Sequence, residues 1–356
     1  MSPVNSGPVL SIVGARPQFI KLAPVHAALR EARLQHVIVH TGQHYDDDMS
    51  ARFFRELKLP TPNINLGVKG GGHAVPTARM LMRIARTIEE LKPALLIVYG
   101  DTTSTLAGAL AGAQCGTRVA HVESGLRSYL RTQPEERNRV VADHLSTLLF
   151  APTTTAVENL LREGINGGVH RVGDPMHDAL SNWWPVASKR PLQIEADPFY
   201  LCTVHRAENT DDAQRLSQLL QLLAGLDAPV LMPLHPRTRR AFRRAGLWKK
   251  LQSLTPVQTC EPLGYLDTLR HIGGAKAVLT DSGGVQREAA WLGTFCLTLR
   301  SVTEWVETVE DGRNVLIDLD LDRARAALDR RPRRRRPRTS GTNASRRIAA
   351  LIRKAL

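Results

Sequence analysis

The chain has 356 residues, of which 42% are hydrophobic and 23% are charged, as is typical of a globular protein long enough for two domains. The absence of a long apolar run and of a signal peptide argues against a membrane-inserted or secreted protein and favours a cytoplasmic one. The net charge is +14, and half of it comes from seven arginines in residues 330–338, RRPRRRRPR.

Short apolar runs rich in Val, Ile and Leu alternate with helical patterns along the chain. Runs without polar alternation are typical of parallel strands that are buried on both faces. In the first half, strands are predicted at residues 9–14, 37–41, 95–101, 118–123, 148–153 and 170–173, and helices at 17–30, 76–91, 103–114 and 134–145.

The same alternation resumes after residues 181–198, which show little periodicity and are the predicted crossing between domains. Strands are predicted at 200–205, 229–235, 257–261, 277–281, 295–300 and 315–317, an irregular segment at 330–342, and a final amphipathic helix at 344–356. Two successive β/α arrays predict an α/β protein with two Rossmann-like, doubly wound domains. The predicted boundaries are 1–174 and 175–342, followed by the helical segment 343–356.

Five of the predicted strands end in a polar side chain, namely Asp101, Glu123, His205, His235 and Asp281. Ligands of open parallel sheets bind beyond the carboxyl ends of the strands. A single polar residue at such a position is more often a helix cap or a turn former. Five at corresponding edges predict a polar cleft between the domains.

Two turns suit an anionic ligand. Arg16 and Lys21 bring positive charge to the turn after the first strand, which lacks GxGxxG and so argues against a dinucleotide cofactor. In DSGGVQRE, Gly283 and Gly284 let backbone N–H groups approach a phosphate at a helix N-terminus. The neighbouring Ser282 belongs to the same turn.

Further candidates lie beside these turns. Glu288, in the first turns of the helix after DSGG, is placed to accept the hydroxyls of a ribose. His205 is followed by Arg206 in HRAEN, whereas His235 has equal weight as a helix cap and as a site residue. Pro134 opens a helix whose first turn carries Glu135, which makes Glu135 a better candidate than Glu136.

Together these segments resemble the non-hydrolysing UDP-N-acetylglucosamine 2-epimerase family. The matching motifs are GARPQFIK from residue 14, TGQH from 41, GDTTSTLAGAL from 100, HVESGLRS from 121, PEERNR from 134, HRAEN from 205, HPRTR from 235, LTDSGGVQREA from 279 and TEWVETVE from 303. The resemblance implies a GT-B arrangement with the active site in the interdomain cleft and the last helix packing back on the first domain. We also expect a homodimer.

The resemblance implies that a base removes the C2 proton of a UDP-linked 2-acetamido sugar while UDP leaves C1, and that UDP then adds back. By motif, the implied catalytic residues are Asp101, Glu123, Glu135 and His205, and the implied UDP contacts are Arg16, Lys21, Ser282, Gly283, Gly284 and Glu288. Arg206 and His235 add charge or donors to the same site, and Gln43, His44 and Arg139 are further candidates. Neither NAD nor a metal is expected, since no cluster has metal-ligand spacing.

The exact reaction leaves alternatives. The family as a whole favours conversion of UDP-GlcNAc to UDP-ManNAc for surface polysaccharide precursors. GARPQFIK and TEWVE are instead similar to enzymes that act on UDP-2,3-diacetamido-2,3-dideoxyglucuronate. A GT-B glycosyltransferase and a hydrolysing 2-epimerase remain alternatives. The arginine run favours a solvated loop over a nucleic-acid partner, because no aromatic residue interleaves it.

Overall fold

The computed structural model describes residues 7–43, 47–70, 72 and 74–356. It divides into two compact units: the chain up to Ala179 with Ser340–Leu356 is unit 1, and Leu180–Thr339 is unit 2. Each unit contains a parallel sheet with flanking helices, so the predicted class of two Rossmann-like α/β domains is confirmed. Within the described ranges, no helix has the length and apolarity needed to cross a bilayer.

Unit 1 has a sheet whose strands are β1 Val9–Val13, β2 His36–His40, β3 Ile64–Asn65, β4 Leu95–Tyr99, β5 Val119–Val122, β6 Leu148–Ala151 and β7 Val169–Arg171. Its first seven helices are α1 Arg16–Glu31, α2 Asp47–Glu56, α3 Ala74–Leu91, α4 Thr103–Gln114, α5 Pro134–Leu145, α6 Thr154–Arg162 and α7 Pro175–Ala187. The strand order is β3-β2-β1-β4-β5-β6-β7, so it reverses between β1 and β4. α7 runs across the division between the units.

Unit 2 repeats this topology with β8 Tyr200–Thr203, β9 Val230–Pro233, β10 Val257–Cys260, β11 Ala277–Thr280, β12 Phe295–Thr298 and β13 Asn314–Leu316. Its helices are α8 Ala207–Thr210, α9 Ala213–Ala224, α10 Pro236–Arg244, α11 Trp248–Gln252, α12 Tyr265–Gly274, α13 Gly283–Leu292, α14 Val306–Glu310 and α15 Leu321–Asp329. The order β10-β9-β8-β11-β12-β13 reverses between β8 and β11. The last helix of the chain, α16 Ala344–Ala355, belongs to unit 1.

Close packing of α4 on the sheet explains its glycines. A Cβ at Gly108 would lie 2.8 Å from Val98 Cγ1, and one at Gly112 would lie 2.5 Å from Val119 Cγ2. The helix therefore approaches β4 and β5 more closely than larger residues would allow. This contact fixes the two strands whose carboxyl ends lead to Asp101 and Glu123.

The helix α16 packs on α1 through Ile348, Ala349 and Ile352, which are buried. The carboxylate of Asp178 accepts hydrogen bonds from Ser345 N at 2.8 Å and from Ser345 Oγ at 2.9 Å. A carboxylate at the first turn of a helix satisfies free N–H groups and complements the helix dipole. The chain thus returns to unit 1 through an anchored helix.

Three sequence predictions differ from the observed elements. Most strands end one or two residues before their predicted end, because the chain turns just ahead of the polar residue, as at Gly100 with its φ of +62°. The edge strand β3 was not predicted, since two residues give no periodicity. Residues 181–187, predicted irregular, continue α7 despite Pro185 within the helix.

Candidate active site

In each unit, candidate side chains follow strands at the reversal of strand order or, for Glu123, the strand next to it. In unit 1, Asp101 comes two residues after β4, and Glu123 follows β5 directly. In unit 2, His205 comes two residues after β8, and Asp281 follows β11 directly. Such switch points are the usual ligand-binding positions of doubly wound sheets.

An ion pair joins Glu123 to Lys21 of α1, and both side chains are almost completely buried. The Lys21 ammonium lies 3.2 Å from the position that a Cβ on Gly100 would take, so a larger residue there would crowd it. Glu123 also has a φ of +74°, which is unusual for a residue with a side chain. Non-glycine residues held in this region cluster at functional sites.

Asp101 is held by α5. Arg139 forms an ion pair with the Asp101 carboxylate and donates to Glu136 Oε2 at 2.7 Å. Asn138 donates to the Asp101 backbone carbonyl at 2.9 Å. The motif PEERNR therefore positions the carboxylate that follows β4, and Arg139, a further candidate from the sequence, is part of this cluster.

The two neighbouring glutamates of α5 differ in what binds them. The buried Glu136 accepts from Ser128 N and Oγ, both at 2.9 Å, and from Tyr129 N at 2.8 Å. Its carboxylate thus holds the loop after Gly125. Glu135 is only partly buried. It therefore remains a better catalytic candidate than Glu136, and its catalytic role stays a prediction.

A buried network lies beneath these carboxylates. His121 Nε2 donates to the Gly100 carbonyl, and Nδ1 lies 2.7 Å from Asp143 Oδ1. Asp143 Oδ2 accepts from Arg127 at 2.7 Å and from Gly125 N at 3.0 Å. Burial alone would raise the pKa of Asp143, but His121 and Arg127 lower it below its ordinary value. The network ties the loops of Asp101 and Glu123 together.

Sequence reasoning missed His121 and Asp143 as site residues. His121 lies inside an apolar strand, and Asp143 lies on α5 beside the buried Ala142. The available signal was a histidine within a strand that otherwise buries apolar residues, because a fully buried polar side chain needs a partner. Asp143 gave no comparable signal, since α5 buries mostly polar residues.

The turn between β1 and α1 is closed by Gln18. Its Oε1 accepts from Gly14 N at 2.7 Å and from Ala15 N at 3.0 Å, so these amides already have a partner. Arg16, at the first position of α1, places its guanidinium 5.6 Å from the centre of the Phe53 ring. An anion at this turn would meet the Arg16 side chain and not the turn amides.

The TGQH segment is divided between described and undescribed residues. Gln43 Oε1 accepts from Ser104 N at 3.1 Å and Ser104 Oγ at 2.7 Å, at the start of α4. In this structure Gln43 thus holds a helix start, and its role as a site residue stays a prediction. His44 lies outside the described residues.

In unit 2, Asp281 organises the HRAEN segment. The fully buried carboxylate accepts from His205 N at 3.1 Å, Arg206 N at 2.9 Å and Asn209 Nδ2 at 3.1 Å. The His205 ring also approaches it, with Nδ1 3.3 Å from Asp281 Oδ1, while the ring remains partly exposed. Asp281 therefore orients His205 and leaves it accessible from one side.

The helix α13 begins with the predicted phosphate turn. Ser282 is its N-cap residue, and Gly283 and Gly284 are its first two residues. A Cβ on Gly283 would lie 2.5 Å from Glu304 Oε1 and 2.9 Å from Trp305 Nε1. Glycine is thus required here by the close approach of the TEW segment.

Arg206 also lies close to the start of α13. Its Nη2 lies 3.4 Å from Glu304 Oε1, and Glu304 Oε2 accepts from Arg300 at 2.9 Å. Glu288, one helical turn into α13, is buried. Arg206 and the start of α13 are therefore linked through Glu304.

The predicted role of His235 had a helix cap as its equal alternative. The His235 Nδ1 accepts from Arg237 N at 3.2 Å, at the start of α10. Its ring lies 5.7 Å from that of His205. The helix cap is therefore observed, and the role of His235 in UDP binding stays a prediction.

Metal-ligating side chains are not clustered in the described part of the chain: no group of three His, Cys, Asp or Glu residues there could hold an ion.

Comparison with known proteins places the chain in a family. The profile described as UDP-N-acetylglucosamine 2-epimerase matches residues 26–353. A UDP-N-acetylglucosamine 2-epimerase homolog of Methanococcus maripaludis is 47% identical over 315 residues, which are 87% of this chain and 88% of that protein. A UDP-2,3-diacetamido-2,3-dideoxy-D-glucuronate 2-epimerase of Pseudomonas aeruginosa is 44% identical over 97% of this chain and 99% of that protein.

A solved structure is also similar over its whole length. The UDP-GlcNAc 2-epimerase of Methanocaldococcus jannaschii, in complex with UDP-GlcNAc and UDP, has a TM-score of 0.92 and 38% identity. The match covers 98% of this chain and 99% of that one. Motifs, topology and these similarities agree, and the chain belongs to the UDP-N-acetylglucosamine 2-epimerase family.

Proposed function

We propose that this protein epimerises UDP-GlcNAc at C2 to give UDP-ManNAc. The observation that supports this most is the pairing of Asp101 and Glu123 with cations at adjacent strand ends of unit 1. The chain is also similar from end to end to an epimerase structure that holds UDP-GlcNAc and UDP.

The proposed reaction has two halves. A base takes the C2 proton, the C2–H electrons form the C1–C2 double bond, and the C1–O bond breaks to release UDP and 2-acetamidoglucal. In reverse, a proton adds to the other face of C2 while a UDP oxygen bonds to C1. Two proton-transfer groups are therefore needed, besides cations that stabilise the leaving diphosphate.

We assign roles to the segments accordingly. Residues 1–174 supply the catalytic carboxylates and two of the UDP contacts. Residues 175–342 supply His205 and the other UDP contacts, while 343–356 completes the first domain. The proposed catalytic residues are Asp101, Glu123, Glu135 and His205. The proposed UDP contacts are Arg16, Lys21, Arg206, His235, Ser282, Gly283, Gly284 and Glu288.

Turnover of UDP-GlcNAc in D2O, followed by proton NMR, tests the mechanism. Elimination and re-addition predict that UDP-ManNAc forms with deuterium at C2 and that the recovered UDP-GlcNAc also exchanges. Epimer formation with the original hydrogen at C2 would contradict elimination. Release of free sugar and UDP would identify the hydrolysing reaction instead.

A second substrate is favoured by one observation: the diacetamido-glucuronate epimerase matches almost all of the chain at 44% identity. Its substrate carries an additional carboxylate. If that sugar is the substrate, kcat/KM should favour it over UDP-GlcNAc by at least about tenfold, the effect of one charge-assisted hydrogen bond. Equal efficiency or a preference for UDP-GlcNAc would rule this candidate out.

The reaction as written requires no redox step and no Lewis acid. We therefore propose that the enzyme acts without NAD or a divalent metal, and that activity survives exhaustive chelation. A loss of activity that a single metal restores would contradict this. We also propose a cytoplasmic homodimer, for which light scattering should give twice the mass of one chain.

A further inference from the structure

A cleft in unit 2 lies at the edge of the sheet opposite the candidate UDP turn. It has a volume of about 660 Å³. Pro198 lies two residues before β8, and Lys276 lies directly before β11, where its N–H donates to Phe199 O at 2.7 Å. Because β8 and β11 are parallel, their amino ends are at the opposite edge from Asp281 and Gly283. The cleft is therefore separate from the proposed UDP turn.

Positive side chains dominate the lining of this cleft. Lys276, Arg331, Arg333 and Arg334 line it, against two carboxylates, Asp197 and Asp329. Lys276 has a carboxylate partner outside the lining, Asp227 at 2.6 Å. Among the described residues, Arg331 and Arg333 have no carboxylate at ion-pairing distance.

The arginine run is docked onto unit 2, although the sequence favoured a solvated loop. Arg338 N donates to Trp291 O at 2.6 Å, and the Arg335 carbonyl lies 2.3 Å from where a Cβ on Gly293 would be. Arg334 donates to the Gly273 carbonyl and, at 3.2 Å, to Thr294 Oγ1. The backbone of the run is thus held at these points, and its residues remain exposed, although part of the Arg334 side chain is buried.

The arginines of this region repel one another. Burial and the nearby Arg270 lower the pKa of Arg334. Burial, together with Arg335 and Arg338, lowers the pKa of Arg313 although Asp311 opposes the effect. An anion bound beside Arg334 in the cleft would reduce the repulsion between Arg334 and Arg270.

We propose that this cleft binds a ligand with clustered phosphate groups. The forked donors of arginine match phosphate oxygens, and the volume lies within the range of small-molecule sites. None of the lining residues is aromatic, so the cleft offers no surface on which nucleobases stack, and this disfavours nucleic acid. Free polyphosphates and the headgroups of anionic lipids both present the required chemistry.

The test uses the full chain with saturating UDP, which keeps the proposed UDP site occupied. Tripolyphosphate is titrated calorimetrically, and vesicles of phosphatidylcholine with or without phosphatidylglycerol are tested by co-sedimentation. The variant Arg331→Gln/Arg333→Gln removes two charges from the cleft. The matched control Arg336→Gln/Arg338→Gln removes two charges from the same run but none from the lining.

We expect the cleft variant to weaken binding of one probe by at least about tenfold and the control by less than about threefold. Tripolyphosphate binding identifies a free phosphate ligand, and binding only to phosphatidylglycerol vesicles identifies a lipid headgroup. Equal losses in both variants would show a diffuse charge effect and overturn the proposal. Absence of binding to both probes would overturn it as well. Unchanged UDP affinity in both variants serves as the folding control.

Discussion

Carboxylates near the strand ends differ in the partners that hold them. Glu136 and Asp281 each accept several hydrogen bonds from backbone or amide groups, which fixes loops. Asp101 and Glu123 each face a cation instead. Because each of them lies beside a positive side chain close to a strand end, we propose Asp101 and Glu123 as a reactive pair.

We propose that His121 positions this pair, because it links the Gly100 carbonyl to Asp143. His121→Gln should lower kcat by about tenfold to a hundredfold through misplacement of Asp101, with little change in KM or UDP affinity. The matched control is His144→Gln on α5, whose side chain is half exposed. Steady-state kinetics measure kcat and KM separately. A kcat of the His121→Gln variant within threefold of the parent enzyme would contradict the proposed role.

We expect His36 to make the stability of unit 1 depend on pH. Burial, with a smaller effect from His26, lowers the pKa of His36 to about 3. His36 Nδ1 lies 2.8 Å from His26 Nδ1, and His36 Nε2 lies 2.7 Å from Ser11 Oγ. The unfolded chain, with a histidine pKa of about 6.5, therefore binds a proton that the folded chain does not.

Stability from neutral His36 is fully present above pH of about 6.5 and falls as the pH decreases towards 3, by up to about 1.4 kcal/mol per pH unit. His36→Gln should remove this part of the slope. Urea unfolding of both proteins, followed by circular dichroism between pH 7 and pH 4, gives the comparison. If the free energy of unfolding depends on pH equally in both proteins, the prediction for His36 is wrong.

At the scale of elements, the start of α13 depends on a close approach by the TEW segment. Gly283→Ala would place a Cβ against Glu304 and Trp305, which must shift, since Trp305 belongs to a buried loop. UDP affinity should fall by at least about tenfold as the helix start moves away from its phosphate-binding position. Calorimetry measures this, with Gly167→Ala, in open space, as control. An unchanged affinity would place the diphosphate elsewhere.

At the scale of the whole molecule, we propose that the two units carry separable tasks. All five tryptophans lie in unit 2, so their fluorescence reports on the unit proposed to bind UDP. Asp101→Asn should lower kcat by about 10²–10⁴-fold, as for the loss of a general acid or base, while the fluorescence titration with UDP stays unchanged. Glu288→Ala should instead weaken the UDP titration. A parallel loss in both assays for Asp101→Asn would contradict this division of tasks.

The sequence by itself determined the architecture. Buried strands give unbroken apolar runs and helices give a different period, so two arrays of alternating elements predicted two parallel sheets. Polar residues after the runs marked the strand ends, as for Asp101 and His205. The sequence did not predict the two-residue strand β3 or the continuation of α7 past residue 181. Neither segment shows a hydrophobic periodicity that identifies it.

Only the tertiary structure decided which side chains the polar site residues bind within the protein. The partners of Glu123, Asp281 and Arg206 are far away in the chain, with Lys21 about a hundred residues from Glu123, and strand order alone brings them together. For the same reason, the docking of the arginine run beside Lys276 could not be read from its composition. The hydrophobic pattern of a segment predicts its secondary structure. The hydrogen bonds and ion pairs of its polar side chains depend on which strand ends the fold brings together.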